Sequence, residues 1–157
     1  YAQPPLYTLE YRLVMRAEDS FEPKSFDDIR SLGKDGVILS LFGTAGTQFL
    51  KKQGGLLIDE GGKTLEELVR KLSIKRGRFI FYQSFSTVFT INQMAMNQKF
   101  RLTQTSFYNT GHYVAFPKNT APITVVKRVE EALNKVRASG QLDQILQKYM
   151  ANGLNFD

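Results

Sequence analysis

In this 157-residue chain, the residues best suited to ligand chemistry are Gly43-Thr44-Ala45-Gly46-Thr47. An apolar run from Val37 to Leu41 stops at Phe42-Gly43, small residues follow, and a helical pattern, Thr47 to Lys52, takes over. A strand, a glycine turn and a helix start point free backbone N–H groups at an anion or polar ligand. The two glycines let the backbone approach closely, and Thr44 and Thr47 carry hydroxyls that donate and accept. No Lys follows the second glycine, as a phosphate-binding P-loop requires, and no third glycine completes a dinucleotide fingerprint. An ordinary linking turn accounts for the same residues.

Other reactive side chains point away from catalysis. His112 is the only histidine, so a multi-histidine metal site is excluded. It lies in Asn109-Thr110-Gly111-His112-Tyr113, read as a turn into a strand, and no G-x-S-x-G elbow nominates a nucleophile for it. Asp27-Asp28 and Glu66-Glu67 stand at helix starts, where they favour the helix dipole. Glu130-Glu131 shares a helix with Lys127, Arg128 and Lys135, so side-chain pairing accounts for it. Most of the twelve Phe and seven Tyr fall on faces expected to be buried. We expect a non-enzymatic protein with no cofactor and no metal.

The elements that position these residues follow from periodicity. Leu9–Arg16 alternates, with Tyr11, Leu13 and Met15 on one face and Glu10, Arg12 and Arg16 on the other, predicting a strand exposed on one side. Ser25 with Asp28 forms a capped helix start, and Gly33 ends that helix. Val37–Leu41 has the continuous apolar character of a strand buried on both faces. Leu56–Ile58 reads as a short strand after Gly54-Gly55. Thr64-Leu65-Glu66-Glu67 is a capping box opening a helix with Leu65, Leu68, Val69 and Leu72 on one face. Phe79–Tyr82 is a strand and Phe85–Met96 a helix. Phe100–Thr105 and Tyr113–Phe116 are short strands. Asn119 or Thr120 caps a long helix with Pro122 in its first turn and Val126, Val129, Leu133 and Val136 as its stripe. Gly140 closes it, and Leu142, Ile145, Leu146 and Tyr149 mark a last helix. Strands alternating with helices at this spacing mean an α/β fold with a mostly parallel sheet flanked by helices.

Composition bounds the rest. The length suits one domain, and 42% hydrophobic with 23% charged residues is globular usage. No apolar run reaches the roughly 18 residues of a membrane span. The opening Tyr1-Ala2-Gln3-Pro4-Pro5 reads as that of a mature or trimmed product. A net charge of +6 favours anionic partners, but the basic groups are scattered, Lys51-Lys52, Arg70-Lys71, Lys75-Arg76 and Arg78. A solvated cationic surface is favoured over a nucleic-acid stripe, so no nucleic acid is expected. The absence of cysteine excludes disulfides and is compatible with an oxidising compartment.

A family resemblance rests on several segments. Val126–Met150, with Glu130-Glu131-Ala132-Leu133-Asn134-Lys135 and Ser139-Gly140-Gln141-Leu142-Asp143-Gln144-Ile145-Leu146, resembles the closing helices of extracellular solute-binding proteins of family 3, the type II periplasmic binding proteins. Pro5-Leu6-Tyr7 with Tyr11–Arg16 resembles the crossing into their second lobe, and Ser25-Phe26-Asp27-Asp28-Ile29 the helix that follows. Gly43–Gly46 with Phe49-Leu50 resembles the ligand loop, Gly77-Arg78-Phe79 a strand start, and Tyr113–Lys118 the return strand. The resemblance implies a lead-in over 1–8 from a missing first lobe, a second-lobe domain over 9–112 with a hinge strand, and a return strand with C-terminal helices over 113–157. It implies binding of a small polar or anionic solute as part of a transporter-type solute-binding protein in the periplasm or outside the cell. The partners it implies are a membrane transporter or sensor, with a first lobe or a second copy to complete the cleft. The expected ligand contacts are Phe42, Gly43, Thr44, Ala45, Gly46 and Thr47, with Gln83 or Ser84 opposite. The stretch Phe79–Ser84 holds no carboxylate for a ligand amine, which counts against an α-amino acid. The alternatives are a basic module for nucleic acid or an anionic surface, and a sensing input domain.

Overall fold

The computed structural model describes residues 1–117 and 119–150, with only the backbone of Tyr149 and Met150. The expected strand end at Lys118 and the side chain of Tyr149 therefore lie outside the described residues. Two compact units form among the described residues: Glu10–Tyr108, and Tyr1–Leu9 with Asn109–Met150.

The first unit is built on a five-stranded sheet. Its strands are β1 (Tyr7–Arg16), β2 (Ile38–Leu41), β3 (Ile58–Gly62), β4 (Phe79–Phe81) and β5 (Phe100–His112), in the order β3-β2-β4-β1-β5. β2 pairs in parallel with β3 and with β4, and β1 runs antiparallel to β4, with Leu13 opposite Phe81. The helices are α1 (Phe26–Ser31), α2 (Ala45–Gln53), α3 (Leu65–Ser73) and α4 (Ser84–Gln93). This is the expected α/β architecture with a mostly parallel sheet.

Alternation along the strands divides the core between two faces. Val14, Leu39 and Ile80 pack with Leu68, Val69 and Leu72 of α3 and Ile91 of α4. On the opposite face Phe81 lies among the rings of Tyr11, Phe26 and Phe49, at centroid distances of 5.2, 6.4 and 6.1 Å. β1 is therefore covered on both sides, not exposed on one: Val14 is buried along with Tyr11, Leu13 and Met15. Its sequence alternates only because Arg12 and Arg16 occupy half-buried positions.

Several strand limits differ from the sequence reading, by one or two residues in β1, β2 and β4 and more informatively elsewhere. β3 begins at Ile58, where Leu56–Ile58 was expected, because Gly54 and Gly55 both take φ +67 and the ladder to β2 opens at Ile38 opposite Ile58. As an edge strand it tolerates Asp59 and Glu60, which hid it from a hydrophobic pattern. β5 runs on through the polar Ser106 and Asn109 to His112, which is strand and not turn. Tyr113–Phe116 forms no strand. Ala2 N–H donates to Val114 carbonyl at 2.9 Å, but Pro4 and Pro5 supply no donors to extend a ladder.

Helix starts follow local rules more closely. Ser25 and Asp28 form the reciprocal box at α1. Thr64 accepts from Glu67 N–H, while the Glu67 carboxylate takes Lys63 N–H in place of the cap's own. α2 begins at Ala45, two residues before the expected Thr47, with Thr44 as its cap.

The loop after β1 is held by arginines. Arg78 makes a bidentate pair with Asp19 at 2.8 and 2.9 Å, and Arg101 donates to the Asp19 and Phe21 carbonyls. The Arg78 hydrogen bond holds the Asp19 carboxyl below the usual carboxylate range. A carboxylate depressed on folding adds stability above its unfolded pKa, and that stability is lost as pH falls through the folded value. Asp19→Asn is therefore expected to be less stable than the parent near neutral pH, with the gap closing in acid. Urea melts from pH 7 to pH 3 measure it, and a gap constant with pH would contradict it.

The second unit contains α5 (Ile123–Ala138) and α6 (Gln141–Met150). Pro122 occupies the cap position, not the first turn, and neither Asn119 nor Thr120 caps the helix: Pro122 has ψ 136, extended backbone that cannot be helical. Gly140 takes φ +73 at the α5–α6 junction, as a closing glycine should. Arg137 donates to the Pro5 carbonyl and Gln3 N–H donates to Glu130. The Tyr7 ring stacks on His112 at 5.0 Å. Val126, Val129, Leu133 and Val136 are only half-buried, and Ile123, Val125 and Ile145 are exposed.

Candidate functional site

The expected solute crevice lies at the carboxyl ends of β2 and β4. These strands are parallel neighbours, about 4.8 Å apart. From β2 the chain leaves through α2 to β3, while from β4 it leaves through α4 to β5 at the other edge. Strand order reverses between them, the place where open α/β sheets bind ligands.

The two helices starting here differ from the others in charge. α1 and α3 carry acidic residues in their first turns, Asp27 and Asp28, and Glu66 and Glu67. α2 and α4 have none, so their positive ends are not neutralised by their own side chains. At α2, Thr44 Oγ1 accepts from Thr47 N–H at 3.3 Å, and the Ala45 and Gly46 N–H groups have no acceptor among the described residues. At α4, Gln83 sits at the cap position without a side-chain cap bond.

Buried hydroxyls fix this corner. Thr47 Oγ1 donates to the Leu41 carbonyl at 2.5 Å, lies 3.0 Å from Thr44 Oγ1 and 2.6 Å from Ser40 Oγ. The Ser40 hydroxyl also lies 3.3 Å from the Phe81 carbonyl, tying the end of β2 to the end of β4. The turn is thus braced on both flanking strands before any ligand arrives.

Each residue expected at the site has a definite place. Phe42 is 73% exposed and Gly43, with φ +72, is exposed beside it. Thr44 is half-buried with its hydroxyl in the cap, Ala45 is exposed, and Gly46 and Thr47 are buried. Gln83 is half-buried, accepts from Ser86 and hydrogen-bonds the Tyr11 hydroxyl. Ser84 is buried, its hydroxyl accepting Arg12 N–H at 2.8 Å. The loop and Gln83 follow the ends of neighbouring strands, and Gly46, Thr47 and Ser84 are buried.

Sequence reasoning did not single out Tyr11, Ser40 or Tyr108. Burial pushes the Tyr11 hydroxyl pKa up, against the opposing effect of its hydrogen bond with Gln83. Tyr108 stacks on Phe49 at 4.2 Å and Tyr11 lies 5.2 Å from Tyr108. Tyr11 and Ser40 fall in expected strands and Tyr108 in none, and nothing local to them names a site.

Carboxylates lie elsewhere in this unit. Glu10 pairs with Arg12, Asp19 with Arg78, Glu22 with Arg101, Asp59 with Lys71 and Glu60 with Lys51. None follows β2 or β4 into the crevice. Among the described residues no group of three His, Cys, Asp or Glu is placed to hold a metal.

The sequence matches no protein-family model, and no curated protein matches it. Solved structures do match. An amino acid ABC transporter substrate-binding protein from Streptococcus pneumoniae, bound to L-arginine, aligns with 99% of this chain at TM-score 0.76 and 14% identity. A probable amino-acid ABC transporter extracellular-binding protein from Bacillus subtilis aligns with 94% at TM-score 0.77 and 18% identity. The GluR0 ligand-binding core from Nostoc punctiforme, in complex with L-glutamate, aligns with 92% at TM-score 0.70 and 16% identity. The chain spans 62% of the length of each of these structures. Its fold is that of amino-acid ABC transporter substrate-binding proteins, the type II periplasmic-binding-protein fold.

Proposed function

We propose that the chain is a ligand-binding lobe that holds a small polar or anionic solute without transforming it. One observation carries this reading: the two helices flanking the reversal of strand order, α2 and α4, alone among the four of their unit keep unneutralised first turns. Free N–H groups and the positive dipole ends there favour a carboxylate. The fold likeness supports a solute-binding role, since the matched structures bind L-arginine or L-glutamate. In this reading the protein works in the periplasm or outside the cell and reports to a membrane transporter or sensor. A first lobe, or a second copy, completes the cleft and covers the half-buried stripe of α5. The absence of a crevice carboxylate in Glu10–Tyr108 favours an acid over a ligand that depends on its ammonium, because a desolvated cation needs a counter-charge.

Amide chemical-shift mapping of the whole chain with succinate tests it. The Gly43, Ala45, Gly46 and Gln83 amides should move saturably, and chloride at matched ionic strength should not reproduce the change. Thr44→Ala removes the cap bond that orders these amides and should weaken binding roughly three- to twelve-fold, the equivalent of about 0.5–1.5 kcal/mol. Shifts confined to other surfaces, or none, would refute the assignment.

A further inference from the structure

The opposite end of the same strands carries a second feature. Val37 at the amino end of β2 and Gly77-Arg78 ahead of β4 line a cavity of about 350 Å³. The crevice lies at the far end of β2, four residues on and roughly 13 Å away. The cations at the cavity are Arg16, Lys34, Lys75, Arg76 and Arg78. Its carboxylates are Asp19 and Asp35. Asp19 is held by the bidentate pair with Arg78 and also attracts Arg16, Asp35 attracts Arg78, and Asp59 outside the lining attracts Arg76. The exposed Glu18 approaches Arg16 Nε only to 3.6 Å, leaving an excess of positive charge.

The floor of this cavity is built and its rim is free. Arg16 is fixed by donating to the Leu72 and Gly77 carbonyls at 3.0 and 2.8 Å. Arg78 is held by Asp19 and lies over the Phe21 ring, 4.7 Å from its centroid. Gly77 admits no side chain, because a Cβ there would lie 2.6 Å from Leu39. Lys34, Lys75 and Arg76 are exposed. The end of α3 does not need their side chains, since the backbone N–H groups of Ile74, Lys75 and Arg76 already serve its last carbonyls. Lys75 holds φ +62, a conformation that usually goes to Gly or Asn, at the turn that sets it on the rim. Two hydrogen-bonded guanidinium groups and three exposed cations suit a compact multivalent anion, with Arg heads for directed N–H donors and Lys heads as point charges.

We propose that this cavity binds a phosphate-type polyanion, independently of the solute crevice. Pyrophosphate is the probe, added to the whole chain against sodium chloride of equal ionic strength and followed by amide shifts. The Lys34, Lys75, Arg76 and Gly77 resonances should move saturably while Ala45 and Gly46 stay still. Lys75→Glu with Arg76→Glu, both on exposed positions, should weaken binding about tenfold or more, as two reversed charges near a dianion require. Lys34→Ala should weaken it less, and all variants should melt near the parent temperature. Co-sedimentation with phosphatidylglycerol vesicles, set against phosphatidylcholine vesicles, identifies the source. Pelleting that pyrophosphate reverses would show the same chemistry met by lipid headgroups, and pyrophosphate binding without pelleting would show a free anion. Equal shifts with chloride, or binding unchanged in the double variant, would overturn the proposal.

Discussion

Phe81→Ala is expected to cost roughly 3–5 kcal/mol, the range for removing a buried aromatic ring. For a chain of this size that lowers Tm by about 10 °C or more. Phe81 is fully buried and closes β4, with Tyr11, Phe26 and Phe49 around its ring. These neighbours come from the adjacent strand β1 and from α1 and α2, so one ring ties two helices to the sheet, and no single neighbour can move in to fill the space. The loss therefore includes a cavity as well as transfer free energy. Because Gln83 follows two residues later, we expect the loosening to reach the crevice as weaker succinate binding. Thermal melts of parent and Phe81→Ala, read by circular dichroism, measure the first effect. A change of under 1 kcal/mol would contradict a packing role for this aromatic cluster.

Gly46→Val is the second large effect, expected at about 1–3 kcal/mol of stability through overpacking. A Cβ at Gly46 would lie 2.9 Å from Tyr11 Cε1 and 3.5 Å from Phe81 Cε1. Tyr11 is buried and hydrogen-bonded through Gln83, so its ring cannot simply turn away. Gly43 behaves differently. Nothing lies within 4 Å of a Cβ there, but its φ of +72 penalises any ordinary L residue by roughly 1–2 kcal/mol. Gly43→Asn should thus recover most of what Gly43→Ala loses, while no residue larger than Gly should be neutral at position 46. Urea melts of the three variants separate the two causes. A Gly46→Val protein as stable as the parent would mean that α2 is free to lift from Tyr11.

The contrast between these glycines shows how far sequence reasoning reached. Both were read as room for a ligand to approach the backbone, and the crevice loop was correctly read as a strand end, a turn and a helix start. Gly43 does turn the chain there. Gly46 also makes room for Tyr11, which belongs to a strand far away in sequence. Ser84 similarly reads as a crevice hydroxyl, yet its partner is the Arg12 backbone, 72 residues away.

What the sequence by itself determined were the features whose causes lie within a few residues. Ser25 and Asp28 define the start of α1, Thr64 and Glu67 that of α3, and Gly140 the break between α5 and α6, because a capping bond or a positive φ is a local event. The apolar runs of β2 and β4 were equally plain, since strands buried on both faces must be apolar throughout. Tertiary structure alone decided the edge strands. Asp59 and Glu60 lie in β3 only because β2 offers a ladder there, and β5 extends to His112 although half its side chains are polar. It also decided which helix ends face the crevice, because that depends on strand order and not on any one helix. The same applies to charge: Arg16, Lys34 and Lys75-Arg76 are scattered along the chain, and only the sheet, with the carboxyl end of antiparallel β1 beside the amino ends of β2 and β4, brings them to one cavity. Electrostatic interaction acts through space, so no reading of neighbours in sequence could have summed it.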